Sequence, residues 1–346
     1  MLHIEREIAE QPEVLKRLFT EGAETAHQIA QAIRQFDPAF VLVAARGTSD
    51  NAGRYAQYLM GIHARLPVAL ATPSVHTLYD TSPRLSRALV IGISQSGHAE
   101  DVRRVIDDAR EQGALTMSIT NDPDSPLAHA AEYHLALGAG EEISVAATKT
   151  YTAELGAIAL LVVALVEKAE LHDALAKIPD QISETLHFSE QIAGWSARYR
   201  YMERFASIGR GYNFCTAFEV SLKIKELCYV TGVEYSEADF RHGPIALVEP
   251  GFPVLCIAPQ GKTLPLFLDL LERLRDNRHA ECLVISNDAG ALSFAQNPMP
   301  IPVSLPEWLT PIAAVVPGQI FAMTLAIAKG HTVDKPLGLT KVTITA

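Results

Sequence analysis

The chain has 346 residues, 48% of them apolar, which is enough apolar material for two domains with hydrophobic cores. Forty acidic and 29 basic residues give a formal net charge of −11 with no basic stripe or tail, so we expect no nucleic-acid or membrane partner. The sequence begins without a secretory signal, and its longest apolar run, Leu155 to Val166, is shorter than a bilayer requires. These features predict a soluble, cytoplasmic protein that acts on a small molecule.

Apolar patterning predicts helices and strands that alternate along the chain. An apolar strand from Phe40 to Ala45 is followed by a second from Ala88 to Ile93, which leads through a glycine turn into an amphipathic helix and a third strand. The other helical predictions are an N-terminal segment, about residues 5–35, an apolar helix, Tyr151 to Glu170, and an amphipathic stretch, Leu171 to Arg198.

The two halves of the chain resemble each other. Ala88 to Asp122 and Phe252 to Asp288 both contain strand, turn, helix, strand and a closing Asn-Asp, at an offset of about 164 residues that is typical of duplicated domains. Segments from Phe40 and Glu203 match in the same way. We therefore predict an α/β protein with two tandem, doubly wound parallel sheets covered by helices on both faces. The predicted parts are a helical segment (1–35), a first domain (36–170), a helical linker (171–198), a second domain (199–336) and a tail (337–346).

The four cysteines all lie in the second half of the chain, without CxxC spacing: Cys215, Cys228, Cys256 and Cys282. This spacing indicates neither a disulfide framework nor a zinc site. Because free cysteine is among the most buried residue types, we predict four ordinary buried thiols.

Three turns in the first half are rich in hydroxyl groups. They are Gly47-Thr48-Ser49, Ser94-Gln95-Ser96-Gly97 and residues 144–148, and each precedes a predicted helix. In parallel sheets such turns lie where ligands bind, and helix N-termini offer N–H donors and a partial positive charge to an anion. The alternative is that Ser94 or Ser96 only caps its helix. Three such turns together favour a phosphate site.

One helix in the second half carries a charged stripe on an otherwise apolar surface. Glu219, Lys223 and Glu226 are spaced four and three residues apart, so they share one face. We expect this helix, from about Cys215, to end at a Gly232 cap. The stripe indicates the edge of a cleft, and the alternative is a solvated ladder of salt bridges.

Two further residues are candidates for chemistry. His242 lies in a short loop before Gly243-Pro244, and histidine is the usual acid–base group near neutral pH. Lys341 lies near the end of the sequence, where a lysine is usually solvated.

These motifs together resemble one family. In order they read "GTS", "ISQSG", "VAATKTYT", "GRGYNF", "AFEVSLKIKELCYV", "RHGPIAL" and "LTKVTI", and they resemble the sugar isomerase (SIS) superfamily, specifically the double-SIS isomerase half of glutamine–fructose-6-phosphate aminotransferase. The resemblance implies two flavodoxin-like SIS domains, a sugar-phosphate ligand, and neither a cofactor nor a metal.

The resemblance also implies roles for the candidates. Glu226 would move the proton between C1 and C2 of the open-chain sugar, and Lys223 would assist at the sugar oxygens. His242 would open the sugar ring and come from the neighbouring subunit, which implies a homodimer. Lys341 would form a Schiff base with the ketose. The implied binding residues are Gly47, Thr48, Ser49, Ser94, Gln95, Ser96, Glu219 and the Val145 backbone.

The sequence departs from the family pattern in three ways. Ala99 and Ala147 stand where hydroxyl residues are usual, and His98 is a candidate to compensate for the first. Arg46 replaces a small residue before "GTS", which alters the pocket or supplies a charge. No cysteine precedes Cys215, so we expect no glutaminase activity from this chain.

The function predicted from these features is deamination of glucosamine 6-phosphate to fructose 6-phosphate and ammonia. Action on a fructosamine 6-phosphate, on galactosamine 6-phosphate or in simple aldose–ketose isomerisation stays open. The alternative outside enzymes is a sugar-phosphate sensor, although a sensor has no need of Glu226, His242 and Lys341 together.

Overall fold

The structure is a computed structural model that describes residues 2–341, so the last five residues of the predicted tail lie outside it. The chain divides into two compact units, and each contains one parallel sheet. The first unit comprises Glu13–Glu142, Lys149–Ala176 and residues 340–341. The second comprises residues 2–12, Ile143–Thr148 and Lys177–Leu339.

The helices and strands alternate along the chain. From the start to the end of the first sheet's helices they are α1 (His3–Ala9), α2 (Gln11–Glu21), α3 (Ala23–Phe36), β1 (Phe40–Ala44), α4 (Gly47–Leu59), β2 (Val68–Leu70), α5 (Pro73–Thr77), β3 (Ala88–Ser94), α6 (Glu100–Glu111), β4 (Leu115–Thr120), α7 (Pro126–Ala130), β5 (Tyr133–Ala136), α8 (Lys149–Val166) and α9 (Ala169–Leu175). The remaining elements are α10 (Ile178–Leu186), α11 (Ser189–Ser196), β6 (Arg204–Gly209), α12 (Phe214–Cys228), β7 (Thr231–Ser236), α13 (Glu237–Arg241), β8 (Pro253–Ile257), α14 (Leu264–Glu272), β9 (Glu281–Ser286), α15 (Ala289–Leu292), β10 (Met299–Pro300) and α16 (Thr310–Ala328).

The two sheets have the same topology. The first has the order β2-β1-β3-β4-β5 and the second β7-β6-β8-β9-β10, with every pairing parallel. Both orders are the doubly wound 2-1-3-4-5 arrangement, in which the chain direction of winding reverses beside the first strand. The predicted fold class is confirmed, and the shared order agrees with a duplicated ancestor.

The repeated Asn-Asp pair has a structural role in each unit. After β4, the N–H of Asn121 donates to the Gln95 carbonyl at 3.1 Å, and its side chain binds the Ala139 N–H at 2.8 Å. After β9, the side chain of Asn287 accepts from the Gln260 N–H at 2.7 Å. Each asparagine thus ties the turn after one strand to the next strand's end.

Two helices are long and apolar enough to cross a membrane, namely Lys149–Val166 and the segment Glu307–Ala328. In each of them, 83% of the residues are buried inside the protein. Length therefore does not exclude a membrane span, contrary to the expectation from the apolar run Leu155 to Val166. Burial on all sides accounts for their composition, since a helix that is apolar all round is typical of a protein core as well as of a membrane.

Candidate functional site

Two of the predicted turns flank the point where the first sheet reverses its winding. Gly47 follows β1 with a φ of +53°, and Ser94–Gly97 follows the neighbouring strand β3. Gly97 has a φ of +68°, and a Cβ there would lie 2.1 Å from the Ser125 hydroxyl, so only glycine fits. In sheets of this order, this edge is where ligands bind.

The serines of the second turn do not cap α6. That helix begins at Glu100 with Ala99 as its N-cap, which makes no side-chain hydrogen bond. The hydroxyl of Ser94 accepts from the Gly97 N–H at 3.2 Å, and that of Ser96 accepts from the His98 N–H at 3.3 Å. The capping alternative is therefore wrong for this helix, and the serines order the turn itself.

The first turn is partly committed to the interior. Ser49 is buried, and its hydroxyl donates to Glu154 of α8 at 2.7 Å. Thr48 is half-buried. Binding of a ligand by Thr48, Ser49, Ser94, Gln95 and Ser96 stays a prediction, and Ser49 has its proton directed towards Glu154.

Arg46, one of the departures from the family pattern, links the two turns. Its Nε donates at 2.6 Å to Asp101, the second residue of α6. The arginine side chain is 50% exposed, whereas that of Asp101 is fully buried. Nearby, burial raises the pKa of Asp50, although Arg54 and Arg46 counteract that shift.

The Val145 segment belongs to the second unit and is held by α1. The buried carboxylate of Glu7 accepts hydrogen bonds from the N–H groups of Ile143 and Ser144 and from the Ser144 hydroxyl. The Val145 N–H donates to the Asp334 carbonyl at 3.1 Å. Since that N–H is engaged, the Val145 backbone would have to meet a ligand through another group.

The charged stripe of α12 is largely buried. Glu219 and Lys223 are 0% and 1% exposed, and Glu226 is 24% exposed. Lys223 Nζ lies 3.4 Å from Glu219 Oε1 and 2.6 Å from Glu226 Oε2. The alternative of a solvated ladder is wrong, because only the last member of the stripe reaches the surface.

Close packing fixes the position of α12. A Cβ on Gly318 of α16 would lie 2.3 Å from Val220, and one on Gly232 would lie 2.4 Å from Ser221. The expectation that Gly232 caps the helix is wrong, because Tyr229 takes the left-handed position with a φ of +56° and Gly232 lies within β7. Gly232 is required instead for the close approach of β7 to α12.

His242 follows α13 directly and is exposed. Its N–H donates to the Asp239 carbonyl at 3.0 Å, and Arg241 anchors the preceding turn by an ion pair with Asp269 at 2.6 Å. Within residues 2–341, no contact joins His242 to Glu226. The structure therefore presents this imidazole at the surface of its own chain.

Lys341 is not a freely solvated lysine. Its Nζ lies 2.9 Å from Oε2 of Glu142, whose side chain is fully buried and also accepts from the Thr150 hydroxyl at 2.7 Å. Sequence reasoning missed Glu142 and Asp101, because a lone acid beside a turn has no distinguishing spacing. Within residues 2–341, no cluster of three or more His, Cys, Asp or Glu side chains suits a metal ion.

Comparison with known proteins decides the family. The model of the SIS domain matches residues 36–164 and 202–327. This chain belongs to the SIS-domain family. The resemblance that its motifs suggested is confirmed, and each of the two matches contains one of the sheets described above.

The relatives and structural neighbours carry names from phosphosugar metabolism. The isomerizing glutamine–fructose-6-phosphate aminotransferase of Pyrococcus horikoshii is 32% identical over 342 residues, which are 97% of this chain and 56% of that protein. The chain thus spans about half the length of the curated relatives it matches.

Two solved structures share the fold of this SIS chain. A Silicibacter pomeroyi protein assigned as a phosphosugar isomerase is 31% identical with a TM-score of 0.84, over 96% of this chain and 99% of that one. Glucosamine-6-phosphate deaminase of Thermotoga maritima has a TM-score of 0.79 over 99% of this chain and 100% of that one. Its 20% identity makes the second likeness one of fold alone.

Proposed function

We propose that this SIS protein converts glucosamine 6-phosphate and water to fructose 6-phosphate and ammonia. The proposal is carried by the ion pair of α12, in which a buried Lys223 fixes the carboxylate of Glu226 at 2.6 Å. A carboxylate that is held in place and reaches the surface is suited to take a proton from one carbon and return it to the next. The names of the relatives direct this proton transfer to a hexose 6-phosphate.

The reaction would proceed in three stages. His242 would open the sugar ring by proton transfer at the ring oxygen. Glu226 would then take the proton from C2 and deliver it to C1, which turns the amino aldose into a 2-imino ketose. Water would add to C2 of this imine, and ammonia would leave to give fructose 6-phosphate.

The other predicted residues receive supporting roles in this proposal. We assign phosphate binding to the turns at Gly47–Ser49 and Ser94–Ser96, whose neutral donors permit release of the product after each turnover. We assign to Lys341 the capture of the ketose carbonyl. Lys223 acts through Glu226, since its Nζ lies between two carboxylates and its side chain is only 1% exposed.

We also propose a homodimer in which His242 completes the site of the partner subunit. The exposure of His242 and the absence of a contact to Glu226 within residues 2–341 support this arrangement. The loop after His242 is suited to an interface, because Leu247 is 46% exposed beside other apolar residues of the short helix Pro244–Leu247.

The decisive experiment measures fructose 6-phosphate and ammonia from glucosamine 6-phosphate. Glu226→Gln keeps the size of the side chain and removes the base, so we expect the rate to fall about 10²- to 10⁴-fold. Glu272→Gln, at an exposed position on α14, is the matched control and should keep the wild-type rate. An unchanged rate in Glu226→Gln would rule out the assigned proton transfer.

Other substrates separate the remaining alternatives. Ammonia release from galactosamine 6-phosphate alone would replace the proposed substrate, and release of the amine from a fructosamine 6-phosphate alone would make the protein a deglycase. Interconversion of glucose and fructose 6-phosphates without any deamination would reduce the activity to isomerisation. No turnover of any of these compounds, with binding retained, would favour the sensor.

The shared site is tested by mixing two inactive variants, Glu226→Gln and His242→Ala. If each subunit lends its histidine to the other, a mixed dimer contains one site with both residues intact. About a quarter of the wild-type activity is then expected after complete exchange, because half of the dimers are mixed and each has one good site of two. No recovery after proven subunit exchange would assign His242 to its own chain.

A further inference from the structure

Arg46 occupies a position where a cation is electrostatically unfavourable. Its carbonyl accepts from the Ser49 and Asp50 N–H groups at 3.1 and 3.3 Å, so its backbone forms the N-terminus of α4. Its side chain reaches Asp101 in the first turn of α6. The guanidinium therefore lies close to the N-terminal ends of helices of 13 and 12 residues, and both ends carry partial positive charge.

Asp101 accounts for the orientation of Arg46 but uses only part of it. The fully buried carboxylate binds Nε at 2.6 Å, and its other oxygen accepts from the Val102 N–H at 2.9 Å. A guanidinium has five N–H donors, four of them on the two terminal nitrogens. Within residues 2–341 the structure shows no acceptor for those four, and half of the side chain is exposed.

The surroundings of Arg46 favour an anion. The neighbouring turn, Ser94–Gly97, supplies neutral donors, and the N-cap of its helix is Ala99, which has no hydroxyl to offer. An anion placed here would interact favourably with the guanidinium and with both helix ends, and would offset the cost of keeping these positive groups together.

We infer that Arg46 is a phosphate-binding residue, whose terminal nitrogens contact the phosphate ester of the substrate while Asp101 holds Nε. This inference rests on the proposed function for the identity of the ester. The site thus combines neutral turn donors with one cation, and that cation comes from the turn after β1.

Kinetics and direct binding test this role. In Arg46→Gln we expect the KM for the sugar phosphate to rise about 10- to 100-fold while kcat changes less than about threefold, because the lost hydrogen bonds are charge-assisted and remote from C1 and C2. The dissociation constant of inorganic phosphate, measured by calorimetry at fixed ionic strength, should rise by a similar factor. Arg46→Lys keeps the charge and should recover part of the affinity.

Two variants guard against a trivial result. Arg104→Gln removes an arginine of similar exposure, 47%, that pairs with the buried Asp108 on the same helix but lies farther along it, and it should bind phosphate as the wild type does. Arg46→Gln combined with Asp101→Asn avoids a buried, unpaired carboxylate and should fold while still binding phosphate weakly. His98→Gln examines the other candidate at this turn and should leave phosphate affinity unchanged.

The outcomes are distinguishable from those of the proposed function. If the wild type binds inorganic phosphate and Arg46→Gln, or the double variant, binds it within twofold as tightly, Arg46 has no such role. If His98→Gln loses affinity instead, the cation is His98. If no sugar phosphate is turned over but phosphate affinity still falls in Arg46→Gln, the proposed reaction fails and the phosphate site stands.

Discussion

Lys341 Nζ lies 2.9 Å from the buried carboxylate of Glu142, and the two residues are 199 positions apart in the sequence. Glu142 also accepts from the N–H and the hydroxyl of Thr150, at 3.2 and 2.7 Å, so its position is set by the start of α8. A lysine tethered in this way has a defined position, which a solvated tail lysine lacks.

This pair predicts that Lys341 reacts with ketose phosphates selectively. With fructose 6-phosphate and sodium borohydride, we expect covalent labelling of the peptide that contains residue 341, because reduction traps a Schiff base. Lys341→Arg should abolish the label as seen by mass spectrometry. Lys335→Arg, at an exposed lysine close by, should keep it. Equal labelling of several lysines, or none at residue 341, would contradict the assigned role.

Lys223 gives a prediction about stability. Replacing it by Met leaves Glu219 fully buried without its cation and Glu226 without its partner. Breaking a buried ion pair from one side costs about 3 kcal/mol or more, so the free energy of unfolding in urea should fall by that amount. Adding Glu219→Gln to Lys223→Met should recover part of the loss. If Lys223→Met unfolds at the wild-type urea concentration, the stripe contributes nothing to folding.

Much of the fold could be predicted from the sequence because six strands carry their signal locally. The three inner strands of each sheet are nearly continuous apolar runs, as in β3, where all seven residues are buried. The outer strands escaped prediction. β2 has three half-buried or exposed residues, and β10 has only two residues in all, so neither presents an apolar run.

The candidate site was predictable to a different degree. Motif spacing identified Glu226, because the stripe Glu219, Lys223 and Glu226 depends on one helix alone. The partners that fix the site arise from tertiary contacts, such as Glu142 with Lys341 and Asp101 with Arg46. The Gly232 prediction failed for the same reason, since a glycine that admits a neighbouring helix looks like a helix cap in the sequence.

The cysteines predict a pH dependence. All four are free and buried, as the sequence predicted, and burial raises the pKa of Cys228 and Cys282 to about 12 from an ordinary value of 9.0. At pH 8 their thiolate fraction is about 10⁻⁴, so native protein should react with Ellman's reagent far more slowly than protein in guanidinium. Rapid reaction of the native thiols would contradict their burial.

The same shift has a consequence for stability. Because the pKa of each thiol is higher in the folded than in the unfolded chain, the folded state binds more protons between about pH 9 and pH 12. The thiols therefore contribute stability below pH 9 that is lost as the pH rises towards 12. Replacing Cys228 by Ala should flatten this part of the stability profile, measured by urea unfolding at each pH.

Glu7 is predicted to position the segment that contains Val145. Its buried carboxylate accepts from Ile143 and Ser144, while Asp334, whose carbonyl accepts the Val145 N–H, binds the His3 and Ile4 N–H groups at 3.1 and 2.9 Å. The first turn of α1 and this segment are thereby held by the same few groups. In Glu7→Gln, the charged acceptor is lost but the side chain keeps its size.

We therefore expect Glu7→Gln to raise the KM for the sugar phosphate several-fold, and to lower the free energy of unfolding by about 1–3 kcal/mol, because a charged acceptor in the interior is replaced by a neutral amide. Glu5→Gln, at an exposed position on the same helix, is the matched control and should change neither quantity. Loss of stability with an unchanged KM, measured well below the unfolding temperature, would limit Glu7 to folding. A raised KM that Glu7→Asp partly restores would support its role in positioning the backbone of Val145.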